Sequence, residues 1–328
     1  MRCRWRLMAA VAVLGLAGAG CTDGEMPAPG TAPTTAAPAA AGDPAWRALA
    51  AVPSERTEVA AAAVGDRIWV LGGYGPDGAT LATAEVYDTG ADSWDRGPEL
   101  PVAVNHAMAA TLDGALYIAG GNDGTRPSTQ LARLDGDRWR TLAPLPQGRS
   151  AGGLVALDGL LYLVGGVTEG GLAADTQVYD PATDAWTAAP GLPTPREHLG
   201  AAASAGKVYV VGGRVGGVGN NLAAAEAFDP GSGRWSGVAG LPTPRGGLAT
   251  TATASGQVVA VGGEAAATFP QAEAFDPASG RWRSLPPLPT PRHGLGVVAV
   301  GDVVYVLAGG PQPGLHTSAA NEAIDLGE

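Results

Sequence analysis

Six glycine doublets recur along the chain at nearly constant spacing, and they constrain its fold more than any other feature. The doublets lie at Gly72-Gly73, Gly120-Gly121, Gly165-Gly166, Gly212-Gly213, Gly262-Gly263 and Gly309-Gly310. The intervals between them are 48, 45, 47, 50 and 47 residues. A fixed period of this size indicates an array of similar structural units stacked against one another. We therefore expect one repeated architecture rather than several unrelated domains.

Each repeat has the composition of four short β-strands. An apolar segment before each doublet carries an aromatic residue or valine at one position: Trp69, Tyr117, Tyr162, Tyr209, Val259 and Tyr305. Such segments, bounded by Gly and Asp, are typical of strands. Asp-Pro pairs such as Asp229-Pro230 and Asp276-Pro277 lie farther along the repeats and suit the first two positions of a tight turn. The sequence thus predicts an all-β fold.

The glycine doublet, a downstream aromatic-Asp pair and a later Trp resemble the kelch repeat. The resemblance covers about residues 45–328 and implies a β-propeller of four-stranded blades around a channel. A Trp follows each of the first five doublets, but none follows the sixth. Residues 45–53 match 281–289, so that Trp46 takes the position of Trp282. We therefore expect a six-bladed kelch-type β-propeller closed by an N-terminal strand, because closure removes free sheet edges.

The first 44 residues have the composition of an export signal followed by a linker. Residues 1–20 carry three arginines, a short apolar run and small residues, which predicts a signal peptide. Residues 16–21 (LAGAGC) resemble a bacterial lipoprotein cleavage site with Cys21 as the lipidated residue. Gly18 departs from that pattern, so plain secretion stays open as the alternative. Residues 21–44 are then the lipidated cysteine and a disordered tether rich in Ala, Pro and Thr. We expect an exported protein that meets the membrane only through its lipid anchor.

Charge and residue counts exclude several classes of partner and cofactor. A formal net charge of −11 argues against a nucleic-acid partner, because phosphate contacts need a basic surface. Both cysteines, Cys3 and Cys21, precede the predicted propeller. The four histidines fall on three predicted blades without close ligand spacing: His106, His198, His293 and His316. The sequence therefore predicts no metal site and no cofactor.

Positions that recur in most repeats are interpreted as scaffold. An arginine precedes the inner strand in five of the six repeats, and the second repeat has Val104 instead: Arg56, Arg149, Arg196, Arg245 and Arg292. We interpret these arginines as structural, with an anion-binding ring as the alternative. A second recurring position alternates between Glu and Gln: Glu85, Gln130, Gln177, Glu226, Glu273 and Glu322. Glu and Gln share hydrogen-bond acceptors but not charge, which indicates a structural hydrogen bond.

Two positions vary freely between repeats and are expected near one mouth of the channel. One lies two residues after the arginine position, and the other lies directly after the doublet. Variable polar residues on loops held by a rigid frame commonly carry binding. The ligand-binding candidates from these positions are Glu58, His106, His198, Tyr74, Asn122, Arg214 and Glu264.

Glu58 and His106 occupy the same position in adjacent repeats, so we expect their side chains to approach each other. If they pair, the carboxylate should raise the pKa of His106 above about 6.5. The imidazolium should lower the pKa of Glu58 below about 4.3. Such a pair would be able to exchange protons near neutrality.

These features favour an extracytoplasmic binding or scaffold protein that presents its loop face to a protein or glycan partner. The alternative is a sugar-modifying enzyme, since some exported bacterial kelch propellers are sialic acid mutarotases. Glu58, His106 and an arginine would supply the acid, the base and the cation that this activity needs. A purely structural protein of the cell envelope is the third possibility. The fold by itself does not decide among them.

Overall fold

A computed structural model describes residues 44–327, and its strands form six four-stranded antiparallel sheets. The predicted signal peptide, Cys21 and all but the last residue of the predicted tether lie outside these residues. The part of the chain from 44 to 327 contains no helix long and apolar enough to cross a membrane.

The first three blades follow one another along the chain, after a short strand β1 (Trp46–Ala48). Blade 1 contains β2 (Ala60–Val64), β3 (Arg67–Leu71), β4 (Ala84–Asp88) and β5 (Ser93–Arg96). Blade 2 contains β6 (Met108–Leu112), β7 (Ala115–Ala119), β8 (Leu131–Asp135) and β9 (Arg138–Thr141). Blade 3 contains β10 (Gly153–Leu157), β11 (Leu160–Val164), β14 (Thr176–Asp180) and β15 (Ala185–Ala189). A small hairpin, β12 (Val167–Thr168) and β13 (Gly171–Leu172), extends from blade 3.

The remaining blades repeat this plan. Blade 4 contains β16 (Gly200–Ser204), β17 (Lys207–Val211), β18 (Ala225–Asp229) and β19 (Arg234–Gly237). Blade 5 contains β20 (Ala249–Ala252), β21 (Val258–Val261), β22 (Ala272–Asp276) and β23 (Arg281–Ser284). Blade 6 contains β24 (Gly296–Val300), β25 (Val303–Leu307), β26 (Asn321–Asp325) and, from the other end of the chain, β1. The predicted six-bladed all-β propeller is confirmed.

The N-terminal strand closes the ring as predicted. Strand β1 pairs with β26 and places Trp46 opposite Ile324. The Trp46 indole Nε1–H donates to the carbonyl of Pro286 at 2.8 Å, which links the closing strand to blade 5. The other five blades make the same bond, in which Trp94, Trp139, Trp186, Trp235 and Trp282 each donate to a carbonyl of the blade or strand before them. Closure through β1 therefore completes a set of six inter-blade tryptophan bonds.

Adjacent blades approach each other closely at the glycine doublets. The N–H of Gly73 donates to the carbonyl of Val104 in the next blade at 2.8 Å. Gly72 has a φ of 61°, and a Cβ on it would collide with the same carbonyl. Glycine is favoured here because the backbone is left-handed and the backbone of the next blade leaves no room for a side chain.

The sixth doublet position differs from the prediction by one residue. Ala308 and Gly309 have φ values of 54° and 97°, which match those of the doublets in the other blades. The N–H of Gly309 donates to the carbonyl of Arg56 at 2.8 Å, as the second glycine of a doublet does elsewhere. Gly310, and not Pro311, is therefore the first residue after the doublet. The sequence does not reveal this shift, because Ala308 occupies the first doublet position and Gly309 is followed by a second glycine.

The recurring arginines are scaffold, as interpreted, and the alternative of an anion-binding ring is wrong. All five arginine side chains are fully buried inside the blades. Four of them pair with the recurring glutamates, as Arg292 does with Glu322 at 2.7 Å. Arg149 faces a blade with Gln177, and it binds Asp175 at 2.7 Å instead. Each buried arginine thus has a carboxylate partner, which is the recurring Glu in four blades and Asp175 in blade 3, and the blade without the arginine has the neutral Gln130.

The two faces of the propeller differ in chemistry. The hairpin turns within β2–β3 and β4–β5, and their equivalents, lie on one face and are rich in aspartate. Asp88, Asp180, Asp229 and Asp276 accept N–H groups of their own turns, which is the ordinary use of Asp there. The longer loops after the doublets lie on the opposite face, together with the connections between blades. We call this second side the mouth face.

Candidate functional site

One residue from each blade joins a closed ring of backbone hydrogen bonds where the channel opens onto the mouth face. The ring residues are Glu58, His106, Ala151, His198, Gly247 and Gly294, and all have φ between 50° and 70°. Five of the six N–H groups donate to the ring carbonyl of the preceding blade, as His106 does to Glu58 at 3.0 Å. Val59 closes the circle by donating to Gly294 at 3.3 Å. The backbone carries the structural role, so the side chains that line the cavity are free to differ.

The second variable position lies immediately outside this ring. The residue after each doublet forms a β-bridge with the residue that precedes the ring position, as Arg214 does with Glu197 and Glu264 with Gly246. The prediction that both variable positions lie at one mouth is therefore confirmed.

Two histidines and a glutamate from three different blades meet over the channel. Glu58 Oε2 lies 3.2 Å from His106 Nε2, so the predicted approach of this pair is confirmed. His106 Nε2 lies 3.1 Å from His198 Nε2, although blade 3 separates their blades. The small Ala151 of blade 3 occupies the ring position between them and leaves room for both imidazoles.

A second set of charged groups continues from His198 around the ring. His198 Nδ1 is hydrogen-bonded to Glu197, whose other carboxylate oxygen accepts from Arg214 Nε at 3.0 Å. Arg214 Nη1 donates to Glu264 at 2.7 Å. His293 Nδ1 lies 3.1 Å from Glu58 and 3.7 Å from Glu264, which returns the chain of contacts to its start. We call these seven residues, from Glu58 to His293, the mouth network.

The pKa shifts of the central pair only partly match the prediction. Burial lowers the pKa of His106 to about 4, because the desolvation of the imidazolium outweighs the attraction of Glu58. The prediction of a raised pKa is therefore wrong for His106. Burial alone would raise the pKa of Glu58, but the histidines around it hold that pKa well below its usual range. The direction predicted for Glu58 is confirmed.

His293 differs from His106 in the direction of its pKa shift, although both ring nitrogens of each histidine face an acceptor. His293 Nδ1 faces the Glu58 carboxylate, and its Nε2 lies 3.1 Å from the carbonyl of Gln312. Only the doubly protonated ring donates on both sides. Burial would lower the pKa of His293, but Glu58 and Glu264 raise it above its usual value. The mouth network thus combines three carboxylates with the Arg214 guanidinium and with His293, whose protonated form is favoured by its neighbours.

The structure gathers most of the predicted candidates but not all of them. Glu58, His106, His198, Arg214 and Glu264 belong to the mouth network. Tyr74 packs edge-on against His106 with ring centroids 5.9 Å apart. Asn122 stays outside the network, because its side chain accepts the N–H of Gly124 within its own loop.

Sequence reasoning missed Glu197, Asn105 and the role of His293. They occupy the position between the recurring arginine and the ring residue, where the six blades have Thr57, Asn105, Ser150, Glu197, Gly246 and His293. The variation at this third position could have identified these residues as candidates for the site. It bridges directly to the residue after the doublet, so its side chain adjoins the same mouth.

Comparison with known proteins supports the repeat assignment. The model of the kelch motif matches residues 55–101, 148–193 and 195–242, which cover blades 1, 3 and 4. Kelch-like protein terF from Aspergillus terreus is 35% identical over 135 residues, which are 37% of this chain and 29% of that protein. Kelch-like protein 35 from Mus musculus is 29% identical over 141 residues, 42% of this chain and 24% of that protein. The chain thus spans less than a third of the length of these relatives.

Proposed function

Since the chain is a six-bladed β-propeller built from kelch repeats, we propose that it is a non-enzymatic binding protein that recognises another protein through its mouth face. The observation that carries this proposal is the one-sided placement of exposed apolar side chains. Among residues 44–327, the large apolar side chains that are exposed are Val102, Val215, Val218 and Leu315. All four lie on loops of the mouth face, and the opposite face presents aspartate-rich turns.

Apolar residues around a polar centre suit a protein partner. Val215 follows Arg214 of the mouth network directly, and the N–H of Gly314, beside Leu315, lies 3.4 Å from Glu264. Leu315 is 58% exposed, although burial would remove its side chain from water. Exposed apolar side chains beside polar groups that fix orientation are found together at protein interfaces, although there the apolar residues usually lie at the centre. The predicted signal peptide and Cys21 extend the proposal to an exported protein anchored at the membrane.

The mutarotase-like alternative requires a cation that is available to a sugar carboxylate. Arg214 is the arginine of the mouth network, and its guanidinium is already paired with Glu197 and Glu264. The five recurring arginines are buried inside the blades. His106, with its pKa near 4, is a weak base at neutral pH. These observations favour binding over sugar chemistry.

Site-specific photo-crosslinking in the producing cell tests the proposed face. A crosslinker at Leu315 or Val218 should capture a discrete protein, whereas one at Asp137 should not. Asp137 is the matched control because its side chain is 92% exposed on the opposite face. With the captured protein purified, Val218→Asp should weaken its binding at least about tenfold, since a charge would enter an apolar contact. Equal capture from both faces, or from neither, would overturn the proposal.

A further inference from the structure

Three electron-pair donors from three blades converge on one point of the mouth network. Glu58, His106 and His198 each offer one donor atom, and the three atoms lie within 4.8 Å of one another. Glu58 Oε2 and His198 Nε2 both approach His106 Nε2. Their residues belong to the ring of hydrogen-bonded backbone, which ties the three Cα positions to one another. The convergence is therefore a property of the frame and not of one mobile loop.

The hydrogen bonds behind the two imidazoles decide which nitrogens carry protons. His106 Nδ1 lies 2.6 Å from the amide oxygen of Asn105, and His198 Nδ1 is bonded to the carboxylate of Glu197. Both partners are acceptors, so each Nδ1 carries the proton and each Nε2 of a neutral ring carries a lone pair. Two such lone pairs face each other at 3.1 Å, with the Glu58 carboxylate 3.2 Å from one of them. Two facing lone pairs repel each other, and either a proton or a metal ion between the two nitrogens removes this repulsion.

Two of the three separations between these donors lie near the edge length of a metal coordination sphere. Zn²⁺ binds imidazole nitrogen and carboxylate oxygen at about 2.0–2.2 Å, in tetrahedral geometry. Two ligands at those distances are about 3.3–3.5 Å apart. The observed separations of 3.2 Å and 3.1 Å are only slightly shorter. We propose that Glu58, His106 and His198 form a binding site for one divalent transition-metal ion of the Zn²⁺ type.

Each proposed ligand has a second residue that orients it. Asn105 and Glu197 hold the two imidazoles, and His293 donates to the other oxygen of Glu58 at 3.1 Å. Hydrogen bonds of this type, made to the far side of a ligand, fix its orientation at metal sites. Three protein ligands leave a fourth position open for water or for a donor group of a bound partner. The site thus goes beyond the proposed function, because it places a metal ion with an open coordination position at the centre of the mouth face.

Metal titration of the full chain tests the site. After dialysis against a chelator, isothermal titration with Zn²⁺ should show one ion bound per chain, and Co²⁺ should give the visible spectrum of a tetrahedral complex. His106→Ala and His198→Ala should abolish both signals. Asn105→Ala and Glu197→Gln should weaken Zn²⁺ binding about 10–100-fold, the usual effect of removing an orienting partner. His316→Ala is the matched control, because this exposed histidine lies outside the site and its loss should change nothing.

Three results would overturn the site. They are no saturable Zn²⁺ binding by the wild type, unchanged binding by His106→Ala, or equal loss of binding in His316→Ala. Circular dichroism and the unfolding midpoint of each variant, measured without metal, show whether a loss of binding reflects a loss of fold. Failure of the metal site would leave the crosslinks from Leu315 and Val218 unchanged, so the two proposals are tested separately.

Discussion

Blade 2 provides a natural template for removing a buried ion pair from another blade. In blade 5, Arg245 donates to Glu273 at 2.5 Å and to the carbonyl of Gly262 at 2.7 Å, inside a fully buried site. Blade 2 has Val104 and Gln130 at these two positions, and the Gln130 amide donates to the carbonyl of Gly120. The double substitution Arg245→Val with Glu273→Gln copies this neutral arrangement.

The two single substitutions should be far more damaging than the double one. Glu273→Gln leaves the Arg245 guanidinium buried without its counter-ion, and Arg245→Val leaves the Glu273 carboxylate in the same condition. Removing one partner of a buried pair costs about 3–5 kcal/mol. The double variant buries no charge, and its glutamine replaces the lost donor to Gly262. We expect it to lose only about 1–3 kcal/mol, mainly from the cavity left by the arginine.

Urea unfolding followed by tryptophan fluorescence measures these differences as changes in the free energy of unfolding. A fourth variant, Arg138→Val, is the control, because an arginine 88% exposed should change stability by less than about 0.5 kcal/mol. Independent sites add within about 0.5 kcal/mol. If the loss in the double variant equals the sum of the two single losses within that margin, the pair is not coupled, and our account of the recurring Glu and Gln is refuted.

The remaining predictions concern closure, anchoring and acid stability. Deleting residues 41–53 should cause aggregation in light scattering, since it exposes an edge of blade 6; deletion of 22–40 is the control, and equal behaviour would contradict closure. Cys21→Ser should move the protein from the membrane fraction to the soluble fraction, or leave it unprocessed, whereas unchanged processing and fractionation would refute lipidation. Burial alone would raise the pKa of Asp175, but Arg149 holds it below its usual value. The Asp175 carboxylate therefore stabilises the folded state at a pH above its unfolded pKa of about 3.9, and this stabilisation is lost as the pH falls through the folded pKa. Asp175→Asn should therefore flatten the decline in thermal stability below about pH 4, and an unchanged acid profile would exclude this role.

Asp175 is a structural residue that the repeat pattern could not predict. The recurring arginine and its glutamate were recognisable because four blades solve the same problem with the same residues. In blade 3 the arginine pairs with Asp175, which lies two residues before the recurring Glu/Gln position. No other blade has an acidic residue there, so the repeat pattern does not predict this pair. Likewise, Ala308 replaces a glycine in blade 6, and only its left-handed backbone identifies it as part of a doublet. Patterns predict what is common to the blades, because each blade meets the same packing and hydrogen-bonding requirements.

The number of blades, the closing strand and the positions that line the mouth could all be predicted from the amino-acid sequence. These follow from local turns, strand composition and the period, which can be recognised along the chain without knowing which distant residues are in contact. Which side chains meet depends on how the blades are arranged in space. Glu58, His106 and His198 come from three blades, and their contact depends on the curvature of the ring and on the small Ala151 between two of them. The pKa of His106 fell where a pair in isolation would raise it, because burial is set by everything that surrounds the pair.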